Sequence, residues 1–432
     1  MISEIRLRDF KNFQDTRLKV GRFTLVVGTN ASGKSNIRDV FRFLHGIGRG
    51  YTLAEIIGGR YGVGGQAEWA QMRGAAKEII RFNQSKFQID VEFLVRGNPP
   101  GRYHIAVEKS EQGRGGFRVV GESLNIGREA IYSSHPGADD PVDAQDDENH
   151  LALRMAKAES QRKFGHRLLA RPDQPGLSQI GDFKSASRIH KERAQDLLDI
   201  FAGIRFLDLV PDLMRKPAFP GQGMLGDSGE NLPTVLQAIC VDPRQKSVLM
   251  EWMRELTPMD VVDFEFPLDP VSGLVQLALK ERNGNLVSAY SASDGTLRFL
   301  AMLASLLGTP PVGKPPARLY FFEEIDNGIH PTRLRLLLDL IERQTQAEKG
   351  NIQVVTTTHS PDLLGMVSDV TFQSTSVVFR PEGSDGAIIA RVADLPHAAE
   401  LRATQGLGKL HAAGWMEDML VLSDDPVVGY DS

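Results

Sequence analysis

A chain of 432 residues with 41% apolar and 24% charged side chains can bury one large core or several smaller ones. Its net charge of −5 exerts no global pull on nucleic acid, so any such contact must come from a local patch. The lone cysteine, Cys240, excludes a disulfide framework and a cysteine-based zinc site, and no apolar run or charged-then-apolar start marks a membrane span or signal peptide; a soluble cytoplasmic protein is expected.

MISEIRLRDFKNFQDTRLKV, at the start, reads as two short strands, IRLRDF and TRLKV, joined by a KNFQ turn. FTLVV (23–27) suits a buried strand and stops at Gly28. Gly28, Gly33, Lys34 and Ser35 then satisfy G-x-x-x-x-G-K-[ST], and IRDVFRFL follows with apolar positions at helical spacing. Strand, glycine loop and helix are the context in which backbone N–H groups turn inward around phosphate oxygens and the helix N-terminus adds partial positive charge. Lys34 can then reach the β- and γ-phosphates and the Ser35 hydroxyl can ligate Mg²⁺, so ATP and Mg²⁺ are the expected ligands.

GGRYGVGG (58–65) has no lysine and no clear preceding strand, and is expected to be a flexible surface loop. KFQIDVEFLV, RYHIAVE and GFRVV, within 85–120, alternate between turn signals and imply an antiparallel meander. GADDPVDAQDDENH (137–150) is acidic and polar, as a mobile loop or boundary would be. The stretch after it is expected to be helical and basic, with ten Lys/Arg against four Asp/Glu from Arg154 to Arg193. Such a patch suits DNA or RNA phosphates, and equally a solvated helix face or a partner contact. GENLPTVLQAI (229–239) is expected to re-enter the core.

Three downstream stretches carry chemistry. In YSASDGTLRFLAMLASLL (290–307) a small polar turn opens an amphipathic helix that can aim N–H groups and the Ser293 hydroxyl at a phosphate. In RLYFFEEIDNGIHP (318–331) an apolar strand ends in Glu323 and Glu324, and Pro331 opens a further helix. In NIQVVTTTHSPDLL (351–364) a β-rich strand delivers His359 at its end. SVVFRP and AIIARV imply a closing hairpin before a short helical end and a frayed LSDDPVVGYDS tail.

The hairpin before the loop resembles the opening of the SMC, RecF, RecN and OLD group of ABC-type AAA ATPases, with its "F-K-N-F … G-x-N-x-x-G-K-S-N" pattern; Asn30 and Asn36 match that variant. EEIDNGIHP resembles the "E-x-E-x-G-x-H-P" run of RecF and OLD proteins, and SDGT-x-R their signature turn. The resemblance implies an α/β fold of ABC-ATPase head type: a mixed β-sheet with flanking helices, an antiparallel β-subdomain and a helical insertion. It also implies that Glu323 joins Ser35 on Mg²⁺, Glu324 directs water, and His359 senses the γ-phosphate. Ser293 and Gly295 would complete the site of an opposite protomer in an ATP-dependent homodimer. Asp294 replaces the usual glycine, and would need to point away, cap the helix or bind Arg298. The Mg²⁺-touching glutamine of such heads is not placed; Gln66, Gln71 and Gln88 are weak candidates.

On this reading residues 1–135 form the N-terminal part of the head, 136–228 the acidic loop and basic helical insertion, and 229–432 the C-terminal part. The stretch after His359 holds no acidic metal cluster, so no toprim nuclease domain is expected. The implied function is ATP hydrolysis in DNA repair or anti-phage defence, controlling a separately encoded effector such as a nuclease, with DNA contacted through the insertion and no membrane involved. The rival readings are the ATP-binding subunit of a membrane transporter and a nucleotide-gated module with little turnover.

Overall fold

Apolar residues at alternate positions set the first hairpin. In β1 (Ile2–Phe10) Ile5 and Leu7 are buried while Arg6 and Arg8 turn to the other face. β2 (Phe13–Lys19) returns antiparallel, with Glu4 opposite Lys19 and Phe10 opposite Phe13. β3 (Phe23–Val27) is buried at every position. After the glycine loop, α1 (Lys34–Gly48) turns Ile37, Val40, Phe41, Phe43, Leu44 and Ile47 inward. The computed structural model describes the whole chain except residues 30–31, 96, 111–115, 135–149, 157–163, 257–260, 309–316, 347–351, 382, 385 and 423–432. The acidic stretch (but for His150) and nearly all of the C-terminal tail therefore lie outside the described residues.

α2 (Leu53–Gly58) starts from a Thr52–Glu55 capping box. The glycine cluster that follows is not a plain loop: Gly58 closes α2, and β4 (Arg60–Tyr61) pairs with β5 (Ala67–Trp69). Side chains hold so short a ribbon, since Arg60 bridges Glu55 and Glu68, and the Trp69 indole N–H donates to the Ile56 carbonyl at 3.0 Å. After α3 (Ala75–Glu78), the expected meander runs through β6 (Lys86–Phe93), β7 (Gly101–Lys109), β8 (Phe117–Ile126) and β9 (Glu129–Ser133).

The helical insertion needs correction. Residues 151–156 and 164–170 are strands, β10 (Leu151–Ala156) and β11 (Phe164–Ala170), with Leu153 opposite Leu168 and Arg154 opposite Arg167. The physical reason is that Leu151, Leu153 and Met155 recur at every second position and are buried, as is the small Ala152, with the basic Arg154 falling between Leu153 and Met155. Helix begins at α4 (Arg188–Ala202), where the Ser187 hydroxyl caps the His190 N–H.

β12 (Ile204–Leu207) and α5 (Pro211–Met214) lead to α6 (Leu232–Val241), which buries Leu232, Val235, Leu236 and Ile239. Then come α7 (Pro243–Leu256), an antiparallel trio of β13 (Val261–Glu265), β14 (Ala278–Glu281) and β15 (Leu286–Ser288), and α8 (Asp294–Leu307). β16 (Leu319–Phe322), α9 (Pro331–Gln346), β17 (Gln353–Thr358), α10 (Pro361–Gly365) and α11 (Asp369–Phe372) follow the expected order. β18 (Thr375–Phe379) and β19 (Ile388–Arg391) form the closing hairpin, and α12 (Ala398–Gln405), α13 (Leu407–Ala412) and α14 (Trp415–Leu422) the helical end.

Contacts divide the chain into two compact units, Met1–Ile204 with Gln373–Ala398 and Met416–Ser432, and Arg205–Phe372 with Ala399–Trp415. The divisions expected at 135 and 228 do not coincide with this one, and the stretch between them is shared by both units. The first unit holds an eight-stranded antiparallel sheet in the order β11-β10-β9-β8-β7-β6-β1-β2, and a ladder in which β18 lies parallel to β3 and antiparallel to β19. In the second, β16 runs parallel to β17 with Phe322 opposite Thr356, the two joined through α9. The mixed α/β fold class stands, with an antiparallel subdomain larger than expected. Among the described residues no helix is long and apolar enough to cross a membrane.

One buried charge organises the large sheet. Glu122 on β8 is fully buried and accepts from the Tyr103 and Tyr132 hydroxyls at 2.9 Å each, and from the Gly176 and Leu177 N–H groups at 2.6 and 2.9 Å. Burial raises its pKa, opposed by those four hydrogen bonds. Glu122→Ala would strand two hydroxyls and two amides; it should cost about 3–5 kcal/mol, read as a lower urea midpoint, whereas an unchanged midpoint would deny the network its role.

Candidate active site

The first unit carries the phosphate loop. Gly28 ends β3 so close to β18 that a side-chain carbon there would stand 2.3 Å from the Val378 carbonyl oxygen. Gly33, at φ 114, caps α1 in a left-handed conformation, and a side-chain carbon would stand 2.8 Å from the Asn12 amide nitrogen. The Lys34 ammonium lies over the loop and donates to the Gly28 and Thr29 carbonyls at 2.5 and 2.7 Å. Ser35 is exposed in the first turn of α1, which contains no acidic residue. The Ser32 hydroxyl is buried with no hydrogen-bond partner among the described residues. A glycine cradle, an orphaned hydroxyl and an unopposed helix N-terminus fit a polyphosphate. Asn30 lies outside the described residues.

The Asn36 side chain turns toward the first hairpin: its amide donates to Asn12 Oδ1 at 2.7 Å. Beside it, Lys11 forms a buried ion pair with Asp39 on α1 and donates to the Arg73 carbonyl at 2.8 Å. The KNF turn is thus fastened to the helix that carries the loop. The sequence marked this turn as the link between two strands and as part of a resemblance; Asp39, which lies four residues beyond Ser35 on an otherwise apolar face, was the available signal of its attachment to the helix.

The second unit carries the acidic pair and the histidine. Glu323 and Glu324 follow β16, with Glu324 at φ 47, a left-handed conformation that costs a non-glycine residue roughly 1–2 kcal/mol. Thr357 and Asn327 hold it there, since the Glu324 N–H donates to Thr357 Oγ1 at 3.1 Å and its carbonyl accepts from the Asn327 N–H at 2.9 Å. His359 Nδ1 stands 4.0 Å from Glu324 Oε1, and both side chains are about half exposed. The turn that bears His359 is fixed in the same way: Thr358 Oγ1 donates to Asp326 Oδ1 at 2.6 Å and accepts from the Ser360 N–H at 3.0 Å. Successive threonines of QVVTTT therefore tie the histidine turn to the acidic turn, a function the sequence reading assigned only to a strand.

Ser293 caps α8, accepting from the Thr296 N–H at 3.2 Å. Asp294 does not meet Arg298; it binds Arg215 at 2.6 Å, and Arg215 also donates to the Ala292 carbonyl at 3.0 Å. The charge beside the signature turn is thus neutralised by a residue far back in the chain. Gly295 packs so tightly on the loop after the acidic pair that a side-chain carbon would stand 2.5 Å from the Gly328 carbonyl oxygen. The second unit so brings Glu324 to His359, and the Ser293–Gly295 turn to Gly328. Gln66 and Gln71 are exposed, and Gln88 sits mid-strand opposite Ala106.

A family model described as "AAA domain, putative AbiEii toxin, Type IV TA system" matches residues 23–365. The chain belongs to this AAA-domain family. The matched span opens on β3 and closes at the end of α10, so it encloses every motif from Gly28 to His359. The protein is a P-loop ATPase. It is 20% identical over 389 residues to a Helicobacter pylori protein named ATP/GTP phosphatase, across 86% of this chain and 88% of that one. Similar solved structures include an SMC head domain from Thermotoga maritima (12% identity, TM-score 0.43, 90% of this chain and 98% of that chain). An SMC head bound to the C-winged helix domain of ScpA matches at 16% identity and TM-score 0.47, over 90% of this chain and 97% of that one.

Asp326 positions the histidine turn through Thr358. Asp326→Ala should lower kcat about tenfold while KM for ATP moves less than about twofold, and Asp326→Asn, still able to accept from Thr358, should retain most turnover. Equal losses in both variants, or a loss confined to KM, would contradict this.

Proposed function

We propose that the protein binds Mg-ATP at the phosphate loop and hydrolyses it between two protomers, as a DNA-linked repair or defence ATPase that governs a separately encoded effector. The Glu324–His359 pair carries the reading: a carboxylate and an imidazole 4.0 Å apart, on turns fixed by Thr357 and Thr358, suit turnover better than passive nucleotide binding. Lys34 and the loop N–H groups hold the β- and γ-phosphates. The Ser35 hydroxyl and Glu323 carboxylate are hard oxygen donors that suit Mg²⁺, which prefers few protein ligands alongside substrate phosphates. Held there, Mg²⁺ would supply neutralisation of the phosphates' negative charge. Glu324 orients the attacking water and accepts its proton, and His359 donates to the γ-phosphate. Ser293 and Gly295 of a second protomer complete each site, so ATP has higher affinity for the closed pair and hydrolysis releases it.

The family's description, which includes a putative toxin of a type IV system, supports defence over transport. The DNA contact rests on the basic stretch 154–193, where Arg171, Arg188 and Arg193 are already paired with Asp173, Glu192 and Asp196. Stimulation of turnover by DNA supports that contact; its absence removes DNA from the account.

The Glu324→Gln protein should double its mass in solution on adding Mg-ATP, and Lys34→Ala or Ser293→Arg in that background should abolish the doubling. A protein that binds ATP at constant mass would refute the paired site and leave Ser293 as a helix cap.

A further inference from the structure

Arg215 follows α5 at a point where the chain is held on both sides. Its own N–H donates to the Pro211 carbonyl at 3.1 Å, and Met214 before it is fully buried. Ala218 after it exchanges two backbone hydrogen bonds with Val275, at 2.9 and 2.8 Å. From this fixed base the side chain, only 15% exposed, runs to the start of α8. There Nη2 donates to the Ala292 carbonyl at 3.0 Å and to the Asp294 carboxylate at 2.6 Å, while Nη1 meets Asp212 at 3.1 Å. Ser293 is the residue between the two that Nη2 grips, so one guanidinium nitrogen brackets the turn that bears it.

Asp294 gives this bracket a consequence. Ser293 is exposed and caps the N-terminus of a fourteen-residue helix, where outward-facing N–H groups and the helix field favour an anion. A carboxylate at the same end, 63% exposed, would repel a phosphate brought up from outside. Arg215 removes that objection without occupying the end of the helix itself, because its stem lies buried behind the turn and its planar fork takes a carboxylate and a carbonyl together.

We propose that Arg215 is the positioning residue of this turn: by neutralising Asp294 and fixing the Ala292 carbonyl, it enables the start of α8 to receive the polyphosphate held by a second protomer. The proposal rests on the paired-site reading and adds the residue that lets a negatively charged turn join such a site. Arg215 acts through Asp294 and the backbone on either side of Ser293, not by touching the nucleotide. Two consequences separate this role from general support of the fold. Loss of Arg215 does harm by leaving a carboxylate uncompensated, so removal of that carboxylate repairs the loss. The harm is electrostatic at an exposed group, so it shrinks as salt is raised.

The test measures the dissociation constant of the Mg-ATP-bound pair in the Glu324→Gln background, by mass in solution over a dilution series, with the ATP affinity of each protein measured in parallel. Arg215→Ala should raise that constant about tenfold at low salt and less at high salt, with ATP affinity kept within about twofold. Adding Asp294→Asn should return it to within about threefold of the parent, a recovery that a folding defect would not show. Arg215→Lys, which keeps the charge and loses the fork, should fall between parent and Arg215→Ala. A constant that Arg215→Ala leaves unchanged, or a rise that Asp294→Asn does not reverse, would overturn the proposal and leave the paired site standing. A parent protein that binds Mg-ATP at constant mass would overturn the paired site and the proposal with it.

Discussion

At the phosphate loop, backbone must pass backbone at a distance no side chain allows. Gly28 runs along the Val378 carbonyl and Gly33 along the Asn12 amide, and the arrangement of the first unit preserves these approaches. β18 lies parallel to β3 and fixes the carbonyl that Gly28 must skirt. Lys11 and Asp39, both nearly without solvent access, fix the turn that bears Asn12. A buried ion pair gives little net stability, because desolvation offsets most of its attraction, yet losing one partner is expensive. Such a pair is better suited to specifying one arrangement of turn and helix than to strengthening the fold, and a single arrangement is what closely approaching backbones need.

The second unit meets a comparable demand by different means. Glu324 occupies a conformation that L-residues avoid, and the cost of roughly 1–2 kcal/mol is offset by two local hydrogen bonds of about 1 kcal/mol each. Thr357 and Thr358 bind opposite ends of the turn that follows β16, one at Glu324 and one at Asp326. Consecutive strand residues point to opposite faces, so two adjacent threonines can grip two parts of the same loop. Tied together in this way, the acidic and histidine turns hold the Glu324 carboxylate and the His359 ring 4.0 Å apart.

Much of this was legible in the sequence because it is local. The loop glycines, the strands before Glu323 and His359, and the polar turn at Ser293 that opens α8 follow from spacing and residue type over a few positions. What stayed hidden is long-range or was masked by a louder signal. Arg215 meets Asp294 across 79 positions, and Glu122 meets Gly176 across 54, distances at which local pattern says nothing. In β10 the excess of positive charge drew attention from the alternation of Leu151, Leu153 and Met155, and a sheet strand was read as helix.

We propose that Glu324 and His359, on the two fixed turns of the second unit, serve ATP hydrolysis. Single-turnover hydrolysis of ATP by the wild-type, Glu324→Gln and His359→Ala proteins, each at saturating Mg-ATP with binding measured in parallel, addresses it directly. Rates about 100-fold or more below wild type with ATP affinity kept within about threefold would bear the account out. Wild-type rates in both variants would contradict it, because the water and the γ-phosphate would then be handled elsewhere.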